Sequence, residues 1–141
     1  MKAFVDTNIL IAAFQTDHPR HEACLLLLEK YPKSQISCSA HSLAEFYSSV
    51  TRMPPPRRVR PEEAMLYVGD VASKLTLVSL TPEEYFAAIT EYSAMGVSGG
   101  AIYDALLARC ALKARAEKIY TWNIRHFRQF GPEVEKRLRT P

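Results

Sequence analysis

Cysteine is scarce: only Cys24, Cys38 and Cys110 occur in 141 residues, an odd number with no close spacing. That excludes a disulfide framework, a C-x-x-C redox motif and a cysteine zinc site, and the thiols are expected to be reduced and mostly buried. Long hydrophobic runs are also missing. Asp6 follows Met1-Lys2-Ala3-Phe4-Val5, which leaves no space for the apolar stretch of a signal peptide, and no later run reaches membrane-spanning length. The expectation is a cytoplasmic protein without a membrane partner. Charge of one sign is in small excess, 18 basic against 15 acidic side chains for a net +3. Such a surplus admits a polyanionic partner but excludes an unstructured nucleic-acid tail.

What is present is a chain 48% hydrophobic, enough for one compact domain over residues 1–141. The apolar run 3–5 stops abruptly at Asp6-Thr7-Asn8, as a buried parallel strand does at the edge of a sheet. Helices are expected over 9–14 and 19–30, the second with Pro19 in its first turn. A strand over 36–38 precedes a helix capped by Ser39 or Ser42, with Leu43, Phe46, Tyr47 and Val50 on its apolar face. The prolines 54–56 interrupt that helix, and Pro61 opens another to about Lys74. Residues 75–80 read as a strand, and Thr81-Pro82-Glu83-Glu84 has the cap, proline and acids of a helix start. A further helix follows Ser98-Gly99-Gly100, then a strand over 118–122, and residues 134–140 offer a short edge strand despite their charges. Strands alternating with helices predict an α/β fold whose parallel sheet of four to five strands is layered between helices.

In such a sheet the strand C-termini and helix N-termini share one edge, where ligands bind. Asp6 ends the first strand, Glu45 and Asp104 sit early in helices, and Asn123 follows the 118–122 strand. Singly, each has a structural role open to it: a cap for Asp6 and Asn123, a helix-dipole partner for Asp104. Jointly, three carboxylates at one edge repel unless a positive charge lies between them, and no lysine is evident to supply it. Oxygen donors without a histidine or cysteine set favour Mg²⁺ or Mn²⁺ over zinc. Phosphate hydrolysis with water as nucleophile is the chemistry such a cation performs.

Four motifs occur in order: Phe4-Val5-Asp6-Thr7-Asn8, Leu43-Ala44-Glu45-Phe46, Tyr103-Asp104-Ala105-Leu106-Leu107-Ala108 and Thr121-Trp122-Asn123-Ile124-Arg125-His126-Phe127. In these the chain resembles the PIN-domain family nearly end to end, and most nearly the VapC-type toxins of toxin–antitoxin pairs. The resemblance implies a three-layer α/β/α fold and Mg²⁺- or Mn²⁺-dependent endonucleolytic cleavage of RNA. By it, Asp6, Glu45 and Asp104 match the metal-binding acids, and Asn123 stands, with Thr121 nearby, where the family often has a fourth acid. That neutral group is compatible with a single firmly held metal. Asn8 is expected to orient a carboxylate rather than bind metal. The resemblance further implies a homodimer and a small antitoxin partner, although stand-alone PIN nucleases share the same acids.

Arg57 and Arg58, on the proline-held segment, and Arg125, close to Asn123, are candidates to contact RNA phosphates, against the bland reading of solvated side chains. Ser98-Gly99-Gly100 lacks a P-loop lysine and reads as a loop and cap. His18 and His21 read as solvated rather than metal-binding, and Tyr120 and Trp122 as core. A haloacid-type phosphatase needs a second Asp where Asn8 stands, and a receiver domain needs an acidic pair and a late lysine. A non-catalytic binding module on the same fold is the alternative from another class.

Overall fold

The computed structural model describes residues 1–141. Five short strands, β1 (Ala3–Val5), β2 (Ile36–Ser39), β3 (Thr76–Val78), β4 (Lys118–Tyr120) and β5 (Leu138–Arg139), form one sheet in the order β3-β2-β1-β4-β5. Every pairing is parallel. Parallel neighbours need crossovers, and eight helices supply them: α1 (Thr7–Phe14), α2 (His21–Lys30), α3 (Ala40–Thr51), α4 (Pro61–Lys74), α5 (Pro82–Ala94), α6 (Ala101–Lys113), α7 (Ile124–Phe127) and α8 (Pro132–Glu135).

Side chains alternate across β1 and divide the core in two. Ala3 and Val5 join Ile9, Leu10, Leu27, Phe46, Val50 and Val71, from α1 to α4, on one face. Phe4 joins Tyr92, Leu107, Phe127, Phe130 and Val134, from α5 to α8, on the other. The expected three-layer α/β/α arrangement is therefore present. The chain moves outward from β1 to β2 to β3, then returns to place β4 on the opposite side of β1. The order reverses between β1 and β4, the switch point beyond whose strand C-termini open α/β sheets form their ligand crevice.

Local signals are met in several places. Thr81 and Glu84 form a reciprocal capping box, with bonds of 3.1 and 2.8 Å. Ser39, of the two candidates, caps α3 by accepting from the His41 N–H at 3.1 Å. The edge strand near the C-terminus exists as β5, beside β4. Its charges are tolerated because an edge position faces solvent, and Arg137 donates to the Ala116 carbonyl at 2.8 Å.

Boundaries differ where tertiary contacts override local pattern. The first helix begins at Thr7, not residue 9, because Asp6 itself is the cap. The second begins at His21, with Arg20 as cap, so Pro19 lies outside it. The strand expected over 36–38 extends to Ser39, while that over 75–80 contracts to Thr76–Val78, the three residues that pair with Ser37–Ser39. The strand expected over 118–122 stops at Tyr120, leaving Thr121 and Trp122 beyond it. All three cysteines are free and buried, and burial pushes Cys38 up to about 12. No helix is long and apolar enough to cross a membrane.

Candidate active site

β1 and β4 end side by side, and the residue after each carries a polar group into the crevice between them. Asp6 and Thr121 are both buried, 5% and 0% exposed. The Asp6 carboxylate accepts from the Thr7 N–H at 2.7 Å through Oδ1 and from the Thr121 hydroxyl at 2.8 Å through Oδ2. Thr121 Oγ1 in turn accepts from the Asn123 backbone N–H at 3.0 Å and from Asn8 Nδ2 at 3.4 Å. A hydroxyl has one proton to give and two lone pairs to fill, so Thr121 is fully used. Asn8 thus acts on the carboxylate at one remove, through Thr121, and its own Oδ1 is buried without a partner.

Thr7 links the crevice to α3. Its hydroxyl lies 2.9 Å from the buried Ser42 hydroxyl and 3.2 Å from Glu45 Oε1. Asp104, in the first turn of α6, is half-buried, with Oδ2 3.0 Å from His126 Nε2 on α7. Asp6, Glu45 and Asp104 are near enough to feel one another's charge. Burial pushes Asp6 up to about 7, opposed by the Thr121 and Thr7 bonds and reinforced by Asp104 and Glu45. Burial also raises Glu45, against His41 and the Thr7 bond, with Asp104 adding to the rise. Asp104 is raised by burial, with His126 opposing.

Three carboxyls are therefore gathered without a lysine or arginine paired to any of them; the only salt-bridge partner is His126, on Asp104. No group of three or more His, Cys, Asp or Glu side chains forms a ready-made metal cage. The acids share an edge rather than a single point.

Polar grooves lie on both sides. His41, Glu45, Ser48, Ser49 and Arg52 line one, and Trp122, Asn123, Arg125, His126 and Gln129 line the other. Asn123 reaches the centre through its backbone N–H, and the residue also lines the second groove. Arg57 is paired with Asp17 at 2.8 Å on the surface, and Arg58 donates to the Met53 carbonyl at 2.9 Å. Trp122 is half-buried under His18, stacked at 5.6 Å, and the Arg20 guanidinium, 5.2 Å from the ring centroid. The sequence does not single out Thr7, Ser42, His41 or His126 as members of the site, and it offers Arg52 only as the start of the basic, proline-held run 52–60. Thr7 and His126 do lie inside the motifs, so their positions, though not their partners, were in view.

A model of the PIN domain family matches residues 3–131. Ribonuclease VapC40 of Mycobacterium tuberculosis is 35% identical over 134 residues, covering 95% of this chain and 92% of the relative. Ribonuclease VapC27 of the same species is 33% identical over 114 residues, or 80% and 79% of the two chains. The fold is also that of a chain in the crystal structure of VapBC2 from Rickettsia felis bound to a DNA fragment from their promoter. That likeness has a TM-score of 0.68 and 23% identity, and covers 99% of this chain and 98% of the other. The family match takes in every strand that borders the crevice and all three acids within it: this chain belongs to the PIN domain family.

Proposed function

We propose that this protein is a divalent-metal-dependent endoribonuclease, the toxin of a toxin–antitoxin pair, with Asp6, Glu45 and Asp104 as its metal-binding acids. The observation that carries the reading is the set of carboxyls gathered without a paired lysine or arginine, the most buried of them raised to about 7. A buried carboxylate in such company is stable as the anion only with a cation beside it. The donors fit Mg²⁺ or Mn²⁺: they are hard oxygens, few in number, and magnesium keeps several waters rather than requiring an all-protein cage. The unsatisfied Asn8 Oδ1 marks the same crevice as a place where polar groups outnumber their partners. The names of the two ribonuclease relatives agree with this chemistry.

A bound divalent cation supplies charge stabilisation on the phosphate oxygens and a lowered pKa for the attacking water. The chain's residues do the rest. Thr121 and Thr7 hold both oxygens of Asp6, so the carboxylate needs no reorganisation when charge develops near it. The Thr7 hydroxyl positions Glu45. Arg52 and Arg125 line the flanking grooves, and their charges would attract the phosphates of a strand lying across the acids. Asn123 completes the centre through its N–H and supplies no fourth acid.

The antitoxin and a second copy of the chain are the proposed protein partners. Two exposed apolar regions support this: Leu26, Met65 and Leu66 on α2 and α4, and Tyr85, Phe86 and Ile89 on α5. The test of the central reading is cleavage of labelled RNAs by purified protein with Mg²⁺ or Mn²⁺. Cutting is expected, and is expected to vanish with EDTA. Intact RNA under every metal tried, from folded protein free of inhibitor, would move the assignment to a non-catalytic binding module.

A further inference from the structure

His126 is a conspicuous side chain that the chemistry above does not use. Its Nε2 lies 3.0 Å from Asp104 Oδ2, and its Nδ1 lies 2.9 Å from Gln129 Nε2. With the Gln129 amide nitrogen donating to Nδ1, a neutral ring carries its proton on Nε2, the nitrogen beside the carboxylate. The ring also meets Phe127 and Phe130 edge-on, with centroids 6.1 and 5.4 Å away, and both phenyls are buried. Gln129 and two fixed aromatic rings thus set the direction in which the imidazole N–H points.

Asp104 needs such a partner more than Asp6 does. Asp6 is sealed in with two donors, whereas Asp104 has a side chain 31% exposed and His126 as its side-chain partner. We propose that His126 is a positioning residue: oriented by Gln129, Phe127 and Phe130, it fixes the Asp104 carboxylate for metal binding. The imidazole faces Oδ2 and takes up one lone pair at most, so the carboxylate keeps its remaining lone pairs for a cation. The proposal rests on Asp104 being a metal ligand, as read above. Partners of this kind behind metal-binding carboxylates typically change metal affinity by about 10–100-fold when removed.

The test is titration calorimetry of Mn²⁺ into RNA-free protein, for the wild type, His126→Phe, His126→Gln, Gln129→Leu and Asp104→Asn, with thermal melts to establish folding and RNA kinetics beside it. His126→Phe keeps an aromatic ring against Phe127 and Phe130 but removes the donor. It is expected to weaken Mn²⁺ binding by about 10-fold or more and to lower kcat with little change in KM. His126→Gln, which restores an N–H, should recover most of the loss, and Gln129→Leu should show a smaller loss than His126→Phe. Wild-type affinity in folded His126→Phe, with Asp104→Asn defective, would overturn the proposal and leave the metal assignment standing. Wild-type affinity in Asp104→Asn would remove the metal assignment of Asp104 and this inference with it. Should His126→Phe not fold, unchanged affinity in Gln129→Leu overturns the proposal on its own.

Discussion

The crevice floor and its rim are built differently. On the floor, Asp6, Thr7 and Thr121 are all buried, and both oxygens of Asp6 and all three capacities of the Thr121 hydroxyl are engaged. On the rim, Glu45 and Asp104 are only half-buried, each with one side-chain partner, Thr7 or His126. Burial and hydrogen bonding make the floor part of the fold, so changes there should register in stability as well as activity. The rim can be altered with the core intact, and changes there should register in binding and rate.

Asp6→Asn should give the widest separation of the two properties. Removing a metal-binding anion is expected to lower kcat/KM by on the order of 10²–10³-fold. Stability should move the other way in metal-free protein. Asp6 takes up its proton at about 7 when folded and near 3.8 when unfolded. Between those values the folded state binds more protons, so stability present at low pH is lost as pH rises through about 7. Over pH 5 to 8 the loss is up to about 3 kcal/mol, at about 1.4 kcal/mol for each pKa unit. Glu45 and Asp104 are raised as well and add in the same sense. Chemical denaturation of metal-free protein across this range should show the fall, which Mg²⁺ should reduce and Asp6→Asn should largely abolish. A rise in metal-free stability from pH 5 to 8 would mean that Asp6 is not the strained group it is taken to be.

Thr121→Val tests the floor without removing a charge. The replacement keeps the shape but leaves Asp6 Oδ2, Asn8 Nδ2 and the Asn123 N–H without their shared partner. An unsatisfied buried group costs about 1–3 kcal/mol, so a loss of about 2–3 kcal/mol is expected in urea unfolding, together with reduced cleavage. Full stability would show that the floor is less rigid than its hydrogen bonds imply.

The same division explains what was legible in the sequence. Asp6 directly follows an apolar strand, and adjacency along the chain makes it visible as a strand-end polar group, whereas the sequence places Thr121 inside a strand over 118–122 and only the family resemblance singles it out. Helical spacing likewise revealed Glu45 and Asp104 as acids on largely apolar helices. Partners brought together only by folding were not visible. The Thr7–Ser42 and Asp104–His126 contacts join residues on separate helices, and no local pattern encodes such pairs. The β3 limits were equally non-local, since Leu75 and Leu80 are as apolar as the paired residues and only the register against β2 excludes them. Arg57 and Arg58 stand out by charge on a proline-held, exposed segment, which carries no information about where that segment lies relative to the acids.

Those arginines supply the smallest contrast, one within the rim and its surroundings. Arg125 shares a groove with Asn123 and His126, whereas Arg57 is joined to Asp17 in an exposed ion pair, both side chains 58% exposed. A phosphate contact beside the acids should raise KM when removed, while an exposed pair contributes about 0–1 kcal/mol to stability. Arg125→Ala is therefore expected to raise KM for RNA by about 10-fold, with kcat little changed and the defect shrinking as salt is added, because screening weakens the lost attraction. Arg57→Ala should alter KM by less than about twofold. The comparison requires only steady-state cleavage at two salt concentrations. Equal effects from the two substitutions would mean that RNA is drawn by the general positive surface rather than held in the Arg125 groove, and the substrate path would then have to be widened to include the 54–60 segment.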